Sequence, residues 1–382
     1  MKDKESEKSA KKIGIMTFHW THNYGAVLQA YALYRYIKEM YGCDVSLVDF
    51  RTKRQDRLCK TFRKLSLNKN IHKSLAIYAL QAWNYRSLKR KKDRFSNFLE
   101  NFFSQTRHYS DIQELQSVPP ELDAVVTGSD QVFNPAILPE QELLAYCLQP
   151  FEPSKTRLIA YAPSFGNASI SNTDRELMTT PLTKLEHLSA REEDGVLLLQ
   201  KMTGKNVSLV LDPVFLLDKE QWQEIAQPST GITGNYILCY SLNGREKLDA
   251  VVTRVKQETG LPVVLVTSNV HSRISADKVV LDAGPEEFIW LIDNAKIVVT
   301  DSFHGTAFST IFEKNFFVQI AWPESSQRLT GFLKNAGLSE RIVDEADAII
   351  TESMNIDYSQ CNLAISEAKK LSRRYLSSSL IW

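Results

Sequence analysis

The stretch Lys296–Ala307, with the sequence KIVVTDSFHGTA, decides the fold of this chain. Its apolar start predicts a short buried strand, and a helix is predicted from Ala307 to about Glu313. The turn between them carries a carboxylate, hydroxyls, a glycine and His304. In an open parallel sheet, such a turn lies where ligands bind, beside a helix N-terminus that favours anions. Because histidine exchanges protons near neutral pH, the stretch predicts an anion site with acid–base chemistry. The alternative is a histidine that only holds the turn together.

Strands and helices alternate along the whole chain, which indicates an α/β protein with parallel sheets. A first βαβ unit is predicted from the strand Ile13–Phe18, the helix Ala26–Tyr41 and the strand Val45–Phe50. Further strands are predicted at Ala124–Thr127, Leu158–Tyr161, Leu188–Ala190, Val207–Leu211, Tyr236–Ser241, Val263–Thr267, Val279–Leu281 and Phe316–Ile320.

The segment Gln227–Asn235 is rich in Gly, Pro, Ser and Thr and is typical of a linker. We therefore expect two domains, at residues 1–226 and 227–345. The first carries a basic helical insertion at 51–105. A C-terminal helix within 346–382 is expected to pack back on the first domain.

Composition excludes several classes of protein. The net charge of +1 selects neither nucleic acid nor membrane, and the five cysteines have neither disulfide-framework nor zinc-site spacing. His19 and His22 lack a third ligand at readable spacing, so no metal is expected. The segment Met1–Lys12 does not resemble a signal peptide, and no apolar run reaches membrane-spanning length. We expect a soluble cytoplasmic protein.

The segment Arg51–Arg94 is locally basic, with fifteen Lys and Arg against two acidic residues. Aromatic residues lie in it or just beyond it, namely Tyr78, Trp83, Tyr85, Phe95 and Phe98. This mixture is typical of a helix on anionic lipid, so peripheral contact with the inner membrane face is one expectation. The alternatives are a solvated helix face and pairing with the acidic remainder of the chain.

Four further loops follow predicted strands and carry polar side chains. The first loop and the helix after it contain Asn23, Tyr24, Gly25 and Gln29; the others contain Ser129, Asp130 and Gln131, then Ser164, then Arg191. Amides, hydroxyls and carboxylates suit sugar hydroxyls, and a guanidinium suits a carboxylate or phosphate. The alternatives are tight turns, helix caps and a surface ion pair between Arg191 and Glu192 or Asp194.

Taken in order, these loops resemble the polysaccharide pyruvyl transferase family. The matching stretches are Gly14–Phe18 with Asn23–Gln29, Gly128–Gln131, Ser189–Glu192 with Asp194–Gly195, Leu211–Pro213, Thr300–Thr306, and Arg328 with Leu333 and Gly337–Leu338. The resemblance covers roughly residues 12–345. It implies two Rossmann-like domains that face each other across a cleft, as in GT-B glycosyltransferases, without a metal or other cofactor.

The resemblance also implies a reaction, in which phosphoenolpyruvate donates its enolpyruvyl unit to two hydroxyls of a sugar and forms a pyruvate ketal. The acceptor would belong to a surface polysaccharide, exopolysaccharide or capsule, or to its lipid-linked precursor. His304 falls on the catalytic histidine of the family and Arg191 on its donor-binding arginine. Ser302 stands where many members carry an arginine.

The resemblance implies that the first domain is the acceptor side and the second the donor side, with Arg191 of the first domain contributing to donor binding. Donor binding is assigned to Arg191, Ser302, His304, Gly305 and Thr306. Acceptor binding is assigned to Asn23, Tyr24, Gly25, Gln29, Ser129, Asp130, Gln131 and Ser164.

Two other functions remain open from the sequence. A nucleotide-sugar glycosyltransferase is one, because the helix start at Gly284–Glu287 suits a diphosphate. A non-catalytic glycan-binding relative is the other.

Overall fold

Two parallel sheets frame the molecule in this computed structural model, which describes residues 10–59, 80, 82–166, 170–242, 246–270, 272–320, 327–346 and 354–381. The strands are β1 Lys12–Met16, β2 Asp44–Leu47, β3 Ala124–Thr127, β4 Arg157–Ala160, β5 Leu188–Ala190, β6 Val207–Leu209, β7 Ile237–Ser241, β8 Val263–Thr267, β9 Lys278–Val280, β10 Ile297–Thr300 and β11 Asn315–Val318. The first sheet has the order β2-β1-β3-β4, and the second has the order β11-β10-β7-β8-β9. The pair β5-β6 continues beside β4 through the bridge between Ile159 and His187.

Helices connect most successive strands, as is usual for parallel pairing, whereas β8 and β9 follow one another with no helix among the described residues between them. They are α1 Tyr24–Tyr41, α2 Lys53–Leu58, α3 Tyr85–Phe102, α4 Ile112–Ser117, α5 Glu140–Tyr146, α6 Asn172–Thr183, α7 Glu193–Thr203, α8 Lys219–Gln223, α9 Glu246–Thr259, α10 Pro285–Asp293, α11 Phe303–Ile311, α12 Gln327–Asn335 and α13 Ser359–Leu380, with short 3₁₀ helices at Pro213–Leu216 and Ser339–Arg341. The expected boundary at 226/227 falls between the two sheets. We call the parts before and after it the N-terminal and C-terminal halves.

Helix α11 begins four residues earlier than the sequence predicted. Ser302 is its N-cap, and the Ser302 hydroxyl accepts a hydrogen bond from the backbone N–H of Gly305 at 3.4 Å. A serine at this position favours a helix start because it provides an acceptor for an otherwise unpaired N–H. His304 therefore lies within the first helical turn and not in the loop before it.

Several strands end two or three residues earlier than predicted. This holds for the strands predicted at Ile13–Phe18, Val45–Phe50, Val207–Leu211 and Phe316–Ile320. Their last residues leave the sheet and enter the loops at its carboxyl edge, so apolar character alone placed the boundaries too late.

The basic helix α3 lies against the C-terminal half. Arg90 Nε is 2.8 Å from the carboxylate of Asp282, and Arg94 Nε is 3.1 Å from that of Glu287. Lys91 is buried and donates to the hydroxyl of Ser268 at 2.5 Å. This described part of the basic segment therefore pairs with acidic and polar groups of the other half.

The rest of the basic segment lies partly outside the described residues. Residues 60–79 and 81, which include Tyr78, lie outside the described residues. Phe95 and Phe98 are buried in the core, whereas Trp83 is 87% exposed. Only part of the aromatic set is therefore at the surface.

Helix α13 packs on the N-terminal half. The hydroxyl of Tyr375 donates to the carbonyl of Ala160 at 2.8 Å, and the backbone N–H of Leu211 donates to the hydroxyl of Ser372 at 2.9 Å. In the part of the chain that is described, no helix is both long and apolar enough to cross a bilayer.

Candidate functional site

Three buried side chains from separate elements meet between the two sheets. His304 lies in the first turn of α11, Arg191 directly follows β5, and Asp212 precedes the 3₁₀ helix Pro213–Leu216. His304 Nε2 is 3.6 Å from Asp212 Oδ2, and Arg191 Nη1 donates a hydrogen bond to the same oxygen. The histidine and the arginine that the resemblance marked, as catalytic and donor-binding residues, thus lie beside the same carboxylate.

Asp212 owes its position to local backbone chemistry. It caps the 3₁₀ helix, with Oδ1 accepting from the backbone N–H of Val214 at 3.1 Å, and Pro213 follows at the first helical position. The hydroxyl of Ser129 lies 3.3 Å from Oδ2 and completes its surroundings. These contacts fix the carboxylate toward the opposite half.

The opposite charges in this cluster stabilise one another. Burial by itself raises the pKa of Asp212, but the contacts with His304 and Arg191 outweigh it and hold that pKa well below the ordinary range. Burial alone lowers the pKa of Arg191, and the carboxylates of Asp212, Glu192 and Asp130 raise it overall. At neutral pH the site therefore contains an ionised carboxylate and a charged guanidinium.

The two halves approach each other closely at His304. A Cβ atom placed on Gly25, in the first turn of α1, would lie 2.0 Å from His304 Nδ1. Glycine is thus required at position 25 for the imidazole to occupy its place. His304 Nε2 is buried and has no hydrogen-bond partner among the described residues.

The first turn of α11 is built by the residues that were predicted to bind the donor. The backbone N–H and the hydroxyl of Thr306 both donate to the carbonyl of Ser302 at 3.0 Å. A Cβ on Gly305 would lie 2.4 Å from Thr300 Oγ1, so this turn also needs glycine. Ser302, Gly305 and Thr306 thereby hold His304 in place, and their direct contact with a donor remains a prediction.

A cavity of about 410 Å³ adjoins Arg191 and Asp212. Its apolar walls include Leu211, Phe215, Phe303, Phe332 and Leu371, and Arg328 adds a second guanidinium. Arg191 Cζ lies 4.9 Å from the centre of the Phe303 ring, which is within cation–π distance. Predominantly apolar walls with a few converging polar groups are typical of small-molecule sites.

A second cavity of about 300 Å³ lies in the N-terminal half. Asn23, Asp130 and Gln131, which were predicted to bind the acceptor, line it together with Trp20. Asp130 Oδ1 is 3.9 Å from Arg191 Nη2, so Asp130 connects this cavity with the charged cluster.

The predicted acceptor residues Gln29 and Ser129 are buried and bonded to each other. The Gln29 carboxamide donates to the Thr17 hydroxyl and the Ala26 carbonyl, both at 2.8 Å, and its oxygen accepts from the Ser129 N–H at 3.1 Å. These contacts tie the loop after β1 to the loop after β3. Their role in acceptor binding remains a prediction.

Tyr24 and Ser164 also make their contacts inside the protein. The Tyr24 hydroxyl donates to the carbonyl of Ala283 at 2.8 Å, and its ring stacks on Phe288 with centroids 4.3 Å apart. The hydroxyl of Ser164 is buried and accepts from the N–H of Gly166 at 3.0 Å. Tyr24 therefore joins the two halves, and Ser164 shapes its own loop.

The helix start at Gly284, which suited a diphosphate, is covered by α3. The backbone N–H of Gly284 donates to Glu287 Oε2 at 2.8 Å, and Arg94 pairs with the other oxygen of that carboxylate. A Cβ on Gly284 would lie 2.9 Å from Arg94 Cβ. A nucleotide diphosphate would have to displace these contacts.

No role is predicted from the sequence for Asp212 or Arg328, although both lie in stretches that match the family. The signal for Asp212 was an aspartate directly before proline at the end of a strand, which is typical of a helix cap near a sheet edge. The ring of His19, which was not expected to bind a metal, contacts the carbonyl of Thr17 and the carboxylate of Asp49. In the described ranges, no group of three or more His, Cys, Asp or Glu is placed to hold a metal ion.

Comparisons with known proteins agree with this architecture. The family model of polysaccharide pyruvyl transferase matches residues 23–318, more than half of the chain. Comparison with curated proteins finds no match. A crystal structure of UDP-N-acetylglucosamine 2-epimerase is similar, with 11% identity, coverage of 97% of this chain and 95% of that chain, and a TM-score of 0.52.

Two other solved structures are similar at lower scores. UDP-GlcNAc 2-epimerase from Methanocaldococcus jannaschii, in complex with UDP-GlcNAc and UDP, has 12% identity and a TM-score of 0.46, over 96% of this chain and 98% of that chain. An alpha-glucosyltransferase in complex with UDP and DNA has 8% identity and a TM-score of 0.48, over 97% and 95%. Sequence identities this low show similarity of fold alone. The predicted GT-B-type α/β fold is confirmed.

Proposed function

The chain belongs to the polysaccharide pyruvyl transferase family, which is a family of enzymes, and from this premise we propose that it transfers the enolpyruvyl unit of phosphoenolpyruvate to a sugar. The product is a cyclic pyruvate ketal on two hydroxyls of the acceptor. One observation carries the proposal: His304 and Arg191 meet on the same oxygen of Asp212 beside a cavity.

The reaction needs an acid and a base near the carbon that reacts. C3 of phosphoenolpyruvate gains a proton, and C2 becomes oxocarbenium-like and is attacked by the first sugar hydroxyl, which loses its proton. Inorganic phosphate then leaves with the bridging oxygen and takes up a proton, and the second hydroxyl attacks C2 and loses its own proton. We assign these proton transfers to His304, and such acid–base catalysis contributes on the order of 10²–10⁴-fold in rate.

Asp212 supports this role through its charge. The carboxylate lies 3.6 Å from His304 Nε2, so it offsets the positive charge that the imidazole gains when it accepts a proton. Gly25 keeps the other side of the ring free of a side chain. Asp212 thus supplies a negative charge beside the imidazole, and Gly25 leaves the space that the ring occupies.

Arg191 is suited to the donor anion. Its Nη1 is occupied by Asp212, but Nε and Nη2 are buried without a hydrogen-bond partner among the described residues. Two N–H groups on one edge of a guanidinium match a carboxylate. We assign the donor carboxylate to this edge and assume no metal or cofactor in the reaction.

The acceptor sugar is assigned to the cavity lined by Trp20, Asn23, Asp130 and Gln131. Aromatic and polar side chains together suit the apolar face and the hydroxyls of a sugar. We propose that the sugar belongs to a surface polysaccharide, such as an exopolysaccharide or capsule, or to its lipid-linked precursor. A cytoplasmic enzyme with peripheral membrane contact through the exposed Trp83 and Tyr85 would meet such an acceptor.

The test separates donors by what they release. The protein is incubated with a pool of oligosaccharides and either phosphoenolpyruvate or a set of nucleotide sugars, and released phosphate and nucleotide are both measured. The proposal expects phosphate release, with a pyruvate ketal detected on the acceptor by mass spectrometry. Nucleotide release alone would show a glycosyltransferase. Sugar binding that is unchanged in His304→Ala, with turnover absent in both proteins, would show a non-catalytic relative.

A further inference from the structure

Arg328 lines the same cavity as Arg191 but comes from the C-terminal half. It lies in the first turn of α12, and its Nε atom is buried with no hydrogen-bond partner among the described residues. Leaving a buried N–H without an acceptor destabilises a protein. Because Arg328 also lines a cavity, a ligand in that cavity can provide the acceptor.

Arg328 also differs from the partly buried Arg54 and Arg94 in its ion pairing. In the described ranges, no carboxylate lies within ion-pair distance of Arg328, whereas Arg54 pairs with Glu142 and Arg94 with Glu287. Burial first and the charge of Arg191 second lower the pKa of Arg328. The carboxylates of Asp130, Glu192 and Asp212 offset part of the repulsion between the two guanidinium groups, and an anion between those groups would relieve the rest.

Phosphoenolpyruvate carries two different anionic groups on one carbon, a carboxylate and a phosphate. Asp212 already offsets the charge of Arg191, so the more highly charged phosphate needs a cation without such a partner. Resting on the function proposed above, we propose that Arg328 binds the phosphate of phosphoenolpyruvate while Arg191 binds its carboxylate. The donor then bridges the two halves, and Arg328 stabilises the phosphate as it leaves.

The experiment compares Arg328→Gln with Lys334→Gln. Lys334 lies in the last turn of the same helix and lines the same cavity, so it controls for a general loss of positive charge. Calorimetry is used to measure the binding of phosphoenolpyruvate and of inorganic phosphate. Arg328→Gln is expected to weaken both by about tenfold to a hundredfold, and Lys334→Gln by less than about threefold. Arg328→Lys should restore part of the affinity.

The outcomes separate this inference from the proposed function. Equal binding of phosphoenolpyruvate by wild type and Arg328→Gln would overturn the role of Arg328 and leave the function standing. If wild type binds phosphate but not phosphoenolpyruvate, and Arg328→Gln loses the phosphate, the anion site stands and the proposed donor is wrong. Binding of neither ligand by wild type would overturn both. Circular dichroism and thermal unfolding confirm that each variant is folded.

Discussion

His304 Nε2 and Asp212 Oδ2 lie 3.6 Å apart, although the two residues belong to opposite halves of the chain. Asp212 caps a 3₁₀ helix that follows the last strand of the N-terminal half, and His304 lies in the first turn of α11. The pair therefore exists only when the two halves are together. Any movement that opens the cleft separates the histidine from its carboxylate.

The first prediction concerns the charge of Asp212. Asp212→Asn keeps the size of the side chain and an oxygen that can accept from Val214, but it removes the charge that offsets a protonated His304. We expect kcat to fall by about 10²–10⁴-fold, with a smaller change in KM for phosphoenolpyruvate. Steady-state kinetics of phosphate release measure both constants.

Glu192→Gln is the matched control, because Glu192 also lies near Arg191 but, within the described ranges, forms no ion pair with His304. It should change kcat by less than about tenfold, as expected for a group that does not act in proton transfer. If Asp212→Asn were as active as wild type, Asp212 would have no role in catalysis.

The sequence predicted the positions of His304 and Arg191 because both follow short apolar strands. Ligand sites in parallel sheets lie at such strand ends, so local pattern and general topology were enough. Asp212 also follows a strand, but its role depends on α11, which lies about ninety residues further along the chain. Local pattern does not contain such long-range contacts.

The same limit applies to residues that were predicted to bind the acceptor. Tyr24 and Gln29 lie beside a strand end, and both carry groups that suit a sugar. The structure shows Gln29 bonded to Thr17 and Ser129, and Tyr24 bonded to Ala283, which are contacts that the local pattern does not contain. Sequence pattern identifies polar residues near a site but does not tell which of them face a ligand and which join the loops.

The second prediction concerns the space beside His304. In Gly25→Ala, the new Cβ would lie 2.0 Å from His304 Nδ1, so the imidazole must move. Because acid–base catalysis depends on position, we expect kcat to fall by at least about tenfold. Single-turnover kinetics would show the loss in the chemical step.

Gly42→Ala provides the comparison at the other end of the same helix. Gly42 has φ of +59°, and a Cβ placed on it would have no atom within 4 Å, so alanine there strains only the backbone. It should lower the free energy of unfolding by about 1 kcal/mol without changing kcat. A kcat equal to wild type in Gly25→Ala would mean that His304 has freedom to adjust.

The third prediction separates two roles for Tyr24. Tyr24→Phe keeps the ring on Phe288 and removes the hydrogen bond to Ala283. If Tyr24 joins the halves, the free energy of unfolding should fall by about 0.5–1.5 kcal/mol. KM for the acceptor should stay unchanged, since the hydroxyl would not touch the sugar. A raised acceptor KM with unchanged stability would support the acceptor role and contradict the joining role.

The fourth prediction concerns Lys91. Burial lowers the pKa of its ammonium group from 10.5 to about 7. Between pH 7 and about 10.4, the unfolded chain binds a proton that the folded protein has lost, so the Lys91 contribution to stability rises with pH. The cost of burying the charge is fully present below pH 7.

Lys91→Met removes this cost along with the hydrogen bond to Ser268. Its stability relative to wild type should therefore be higher at pH 6 than at pH 10. Denaturant unfolding at both values measures the difference, and Lys92→Met, at the exposed neighbouring position, should show no such pH dependence. A difference between Lys91→Met and wild type that stays constant with pH would mean that Lys91 remains charged in the folded protein. The Tyr24 ring, whose centre lies 4.4 Å from the Lys91 ammonium, would then be the group that stabilises the charged form.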